Sequence, residues 1–248
     1  MNNKLCEKRS YSKKIVNKNF IYFLVLLIAT DLAFIALGII YECGFVNLID
    51  FCTAINFDSY FSLTRDRGYA ELFQYIKEYW LIILFSFLAI TQSRRIYSGW
   101  AFLSVYILLD DACEIHETLG AAIAQKFNYI SLFNLRPEDY GELTVFLIVG
   151  TIFFLWLLNS YRWSNSRERI ILNYAIGILF GLAIFAVFID LIHVLLDRYI
   201  FWKSTLSIIE DGGEHIMMSI LVCFVLSVTI NLPINSSLSP KQKIKSQL

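Results

Sequence analysis

Long apolar blocks alternate with short charged segments along this chain. A helix needs about 20 largely apolar residues to cross a hydrocarbon core of about 30 Å. Phe20–Tyr41, Leu143–Leu158, Ile170–Leu196 and His215–Leu232 reach or approach that length. Tyr79–Thr91 is shorter, and it continues upstream into the amphipathic stretch Ala70–Glu78. Gly99–Leu119 is apolar as far as Leu109 and then turns acidic. It makes a span only if those acids face the protein interior. The pattern predicts an all-α polytopic membrane helical bundle of about six transmembrane helices.

Composition points the same way. The 248 residues are 57% hydrophobic and 17% charged, against about 45–50% and about 25% in ordinary soluble domains. The formal net charge is zero, which gives no electrostatic case for a nucleic-acid partner. The expected partners are the lipid bilayer and a lipid-like substrate. The first span follows a basic segment but is too long for a signal peptide and lacks a cleavage site, so it reads as an uncleaved span.

Lys and Arg divide unevenly between the two sides of a six-span chain. Fourteen fall on the side that carries both termini and seven on the other. The positive-inside rule then places both termini in the cytoplasm, with a bacterial cytoplasmic (inner) membrane as the expected location. Trp80, Tyr199 and Trp202 would mark the outer interface, and Trp100 and Trp163 the inner one. Residues 1–19 read as a basic cytoplasmic segment, 20–232 as the transmembrane domain and 233–248 as a disordered basic tail. Cys113 and Cys223 read as buried thiols. Cys43 and Cys52 share a loop, where a disulfide and two free thiols are both open.

Charges inside spans cost roughly 2.5–3.5 kcal/mol each near a helix centre, so their clustering carries the functional argument. Asp110, Asp111, Glu114, His116 and Glu117 end the third span. Asp190 and His193 lie late in the fifth. Glu210, Asp211, Glu214 and His215 open the sixth, where Gly212-Gly213 suggests a turn and Asp211 a helix cap. Asp31 lies within the first span. Each of the three His in the chain falls in one of these clusters. In the six-span arrangement these segments meet at the outer leaflet.

At 100° per residue, Asp110, Glu114 and Glu117 share a face within about 60°, while His116 points away from it. Asp190-x-x-His193 has the one-turn spacing that lets two side chains reach one ion. Carboxylate with imidazole is a ligand set for zinc, iron or manganese. The expected metal ligands are Glu114, Asp190, His193 and His215, with Asp111, His116 and Asp211 beside them. Glu117, Glu214 and Asp110 are the candidate catalytic carboxylates. The function these residues suggest is a metal-dependent, membrane-embedded hydrolase opening to the extracytoplasmic leaflet. A proton- or cation-coupled transporter is the alternative, and a non-catalytic membrane subunit the second. Arg65 and Arg67 precede the second span in a segment that reads first as a solvated loop leading into an amphipathic helix, and otherwise as a lid or a phosphate contact.

Overall fold

A computed structural model describes residues 18–46, 59–92, 95–131, 135–196 and 200–232, with side chains described for 20–40 and from 205 in the first and last of these. The described residues form eight α-helices: α1 (Lys18–Val46), α2 (Tyr69–Gln92), α3 (Arg95–Cys113), α4 (Ile115–Phe127), α5 (Pro137–Arg162), α6 (Ser166–Ala183), α7 (Asp190–Leu196) and α8 (Ile200–Asn231). A π-helical turn, Ile184–Ile189, joins α6 to α7. The described residues contain no strand. The segments 1–17 and 233–248, the proposed Cys43–Cys52 disulfide, Asp197, and the side chains of Tyr199 and Trp202 lie outside what is described.

Among the described residues, five helical segments are long and apolar enough to cross a membrane: Phe20–Ile40, Tyr69–Gln92, Pro137–Arg162, Ser166–Leu196 and Thr205–Asn231. The sixth expected span is not among them. Its residues form a helix, but that helix breaks at Glu114, whose backbone is left-handed (φ 52°). The chain then restarts in a new direction as α4. Asp110 and Asp111 near its end lower the hydropathy of α3 below that of α2.

The helix starts are set locally. At α5, Pro137 occupies the first turn and Asp139 accepts from the Arg136 backbone N–H at 2.7 Å. The same carboxylate accepts from the Arg136 guanidinium at 2.7 Å, which pushes that already strong base higher still. At α6, Asn165 accepts from Glu168 N while Glu168 accepts from Asn165 N, a reciprocal capping box.

α8 is the central rod and packs against α1, α2, α6, α7 and the π-turn. It runs unbroken through Gly212-Gly213, so the expected turn is absent and Asp211 lies inside a helix rather than capping one. The two glycines serve approach instead. A Cβ at Gly212 would stand 3.0 Å from the Ile35 side chain, and one at Gly213 2.1 Å from the Phe185 ring. The main core joins Leu27, Leu81, Phe85, Leu88, Met218 and Val222 with Trp100, which stacks on Phe85 and meets Phe153 edge-on. Trp100 is therefore a core residue and not an interface marker, whereas Trp163 is exposed. Cys223 is buried, but Cys113 is exposed at the end of α3. Outward faces remain apolar, as at Tyr22, Leu26, Ile152 and Phe180, the pattern expected where lipid is the solvent.

Candidate functional site

The three histidines separate into three different neighbourhoods. The first is metal-like. Asp190, at the start of α7, and His193, one turn on, face Glu210 of α8. One ligand atom from each lies within 4.8 Å of the other two. His193 Nδ1 stands 2.9 Å from Glu210 Oε2. The π-turn immediately before Asp190 adds a residue to the helical repeat, which rotates α7 about the helix axis. It also carries Phe185, which packs over Gly213. That places α7 close against α8, where Asp190 and His193 meet Glu210.

The second neighbourhood is Asp110 with His116. The Asp110 carboxylate accepts from the His116 backbone N–H at 2.8 Å and lies 3.1 Å from His116 Nδ1. The break at Glu114 makes this geometry, because it turns His116 back toward the end of α3. Glu114 itself lies 3.6 Å from Arg67, both side chains well exposed.

The third lies between α1, α2 and α8, and sequence reasoning missed its central residue. Lys77 is fully buried. Its ammonium donates to Asp31 Oδ1 at 3.0 Å, to the His215 carbonyl at 2.8 Å and to Ser219 Oγ at 3.4 Å, and it stands 3.2 Å from His215 Nδ1. Ser219 donates to the other Asp31 oxygen at 2.5 Å. The three N–H donors of the ammonium are accounted for by Asp31, the His215 carbonyl and Ser219, and His215 Nδ1 also stands 3.6 Å from Asp31 Oδ1. Lys77 thus adds a buried cation to a site that the acidic and histidine clusters alone suggested. A signal for it existed: Ala70, Gln74, Lys77 and Glu78 continue the buried stripe of Leu81, Phe85 and Leu88.

Two adjoining cavities connect these groups. A polar one of about 170 Å³ is bordered by Arg65, Asp66, Asp111, Glu114, Asp211 and His215. One of about 600 Å³ has acidic walls at Asp190, Glu210 and Asp139 and apolar walls at Leu103, Phe146, Val149, Ala186 and Met218. Gln74, Asp110, Asp111, His116, Glu117 and Glu214 border both. The structure thus brings every expected site residue to a cavity wall except His193, which reaches the larger cavity's margin through Asp190 and Glu210. It does not bring them to one ion: Glu114 and His215 belong to other clusters. Glu210 joins the metal-like group although its sequence position reads as a rim residue.

Among the described residues, fold and site together define an all-helical protein with five membrane-compatible helical segments and an acidic, histidine-bearing cavity. The family model described as Domain of unknown function (DUF8692) matches residues 20–230, and the chain belongs to that family. No curated protein and no solved structure matches it.

Proposed function

We propose that this chain is a metal-dependent membrane enzyme, hydrolase-like, acting on an amphiphilic substrate of the bilayer. The observation that carries the reading is the Asp190–His193–Glu210 grouping beside a cavity lined by both carboxylates and apolar side chains. Two carboxylates and one imidazole leave positions open on zinc, iron or manganese, as catalytic sites require. Such an ion acidifies a bound water and polarises a carbonyl.

The remaining steps belong to side chains. Glu214 follows Glu210 by one helical turn and borders the same cavity, a position suited to a general base. It takes the proton from water as the water oxygen adds to an ester or amide carbon. The same proton then goes to the leaving group as that bond breaks. The apolar walls at Val149, Ala186 and Met218 hold an acyl chain, and the acidic walls exclude it. Asp110, Asp111 and Glu117 border both cavities, and Asp211 the smaller one.

The reading includes six crossings and cytoplasmic termini, with 20–232 as one transmembrane domain in a bacterial inner membrane. Only two residues separate α2 from α3. If α2 crosses the bilayer, α3 must re-enter it, and its 19 residues span roughly 28 Å. Its buried Trp100 supports an interior place in the bundle.

The test is elemental analysis of protein purified without chelator. About one zinc, iron or manganese per chain is expected, lost in Asp190→Ala and His193→Ala. Metal-free protein that stays metal-free on reconstitution would sink the reading. A second reading, proton- or cation-coupled transport, is favoured by the buried Lys77–Asp31–Ser219 network, which His215 links to the smaller cavity. It predicts a pH-driven flux in liposomes that Asp31→Asn abolishes.

A further inference from the structure

Glu78 is the least explained charged residue of the fold. It is fully buried, and among the described residues no N–H or O–H group donates to either of its carboxyl oxygens. Gln74, one turn earlier on the same face of α2, is also buried, and its Oε1 is likewise unpartnered. Lys77, the adjacent cation, is committed to Asp31, His215 and Ser219. Across the α2–α3 contact, Asp111 lies within hydrogen-bonding reach of Glu78. Two carboxylates at that separation need something positive between them. Orphaned buried acceptors cost free energy until a donor or cation meets them.

We propose that Gln74 Oε1, Glu78 and Asp111 form a second cation position, made of oxygen donors alone, that takes a hard divalent ion such as Mg²⁺, Mn²⁺ or Ca²⁺. Its chemistry differs from that of the Asp190–His193–Glu210 group, because it contains no imidazole. Two carboxylates and an amide oxygen are a normal partial shell for such ions, with water filling the rest. Gln74 and Asp111 border the smaller cavity, whose volume of about 170 Å³ admits several waters and gives the ion an entry route. Glu214 of α8 borders the same space and adds negative potential.

The full chain in nanodiscs, stripped of metal and titrated with Mn²⁺, tests this by electron paramagnetic resonance. The Asp190→Ala/His193→Ala protein is expected to retain one bound Mn²⁺, competed away by Mg²⁺ or Ca²⁺. Adding Glu78→Gln should weaken it at least about tenfold. Asp111→Asn, at a less buried residue, gives the same measurement should Glu78→Gln not fold. Loss of all Mn²⁺ on removing Asp190 and His193 overturns the proposal and leaves Glu78 and Asp111 sharing a proton. Retention that neither Glu78→Gln nor Asp111→Asn alters overturns it equally. If the wild type, titrated in the same way, binds no more Mn²⁺ than the Asp190→Ala/His193→Ala protein, the hydrolase reading fails and this site stands.

Discussion

Lys77 and Asp31 meet at 3.0 Å with neither side chain touching solvent. They tie α2 to α1, and Ser219 ties both to α8. Removing one partner leaves the other charge buried and unpaired, which typically costs about 3–5 kcal/mol. Lys77→Met and Asp31→Leu are each expected to lower the unfolding midpoint strongly in detergent. The double variant should recover most of the loss, since an apolar pair of similar volume avoids the desolvation of both ions. A double variant as unstable as the sum of the singles would show that the network contributes something other than charge pairing.

Glu114 occupies a backbone conformation that glycine adopts freely and other residues adopt at a cost. Its one ion pair, with Arg67, is exposed on both sides and contributes little. Glu114→Gly should therefore stabilise the chain by up to roughly 1 kcal/mol, and Glu114→Val should destabilise it. Metal content should be unchanged in both, because Asp190, His193 and Glu210 form their cluster without it. Loss of metal in the folded Glu114→Gly protein would return Glu114 to the ligand set.

The spans were legible because hydropathy integrates over about twenty residues and ignores rotation about the helix axis. The site depends on that rotation. When most faces of a helix are apolar, as in α1 with Tyr22, Leu26 and Leu32 outward and Leu27 and Asp31 inward, no strong stripe tells which acid meets which histidine. Asp190-x-x-His193 was readable since both residues lie on one helix. Glu210 as their partner depended on the π-turn, which has no sequence signature here. Lys77 was readable in principle from the stripe it shares with Leu81 and Phe85. Asp211 was misassigned because a glycine pair suggests a turn, but inside a central helix it equally permits close packing, as Phe185 over Gly213 shows.

The crossing of α4 and α5 rests on two glycines. A Cβ at Gly141 would stand 1.9 Å from the Gly120 carbonyl oxygen, and that atom is backbone and cannot swing aside. Gly141→Ala should separate the helices and destabilise by at least about 1–3 kcal/mol, the usual range for overpacking. Gly177 is also inside a helix but has nothing within 4 Å of its Cβ position. Gly177→Ala should be neutral or gain about 0.5–1 kcal/mol. Equal midpoints for the two variants would mean that α4 and α5 do not approach as closely as described.

The apolar lining of the larger cavity offers the most direct test of what the site accommodates. Ala186 lies in the π-turn, about one turn before Asp190, and lines the larger cavity. Ala186→Trp adds an indole to the space assigned to an acyl chain and leaves Asp190, His193 and Glu210 untouched. Lipid that survives purification can be counted per chain by mass spectrometry of the extracted protein. A retained amphiphile is expected in the wild type and a marked loss in Ala186→Trp, with metal content the same in both. The reverse result, metal lost and lipid kept, would mean that the indole disturbs the α7–α8 contact and that the acyl chain lies elsewhere. Substituting Phe180, an exposed residue of α6 that does not border the cavity, with Trp supplies the control, since it adds similar bulk on the outer face and should change neither quantity.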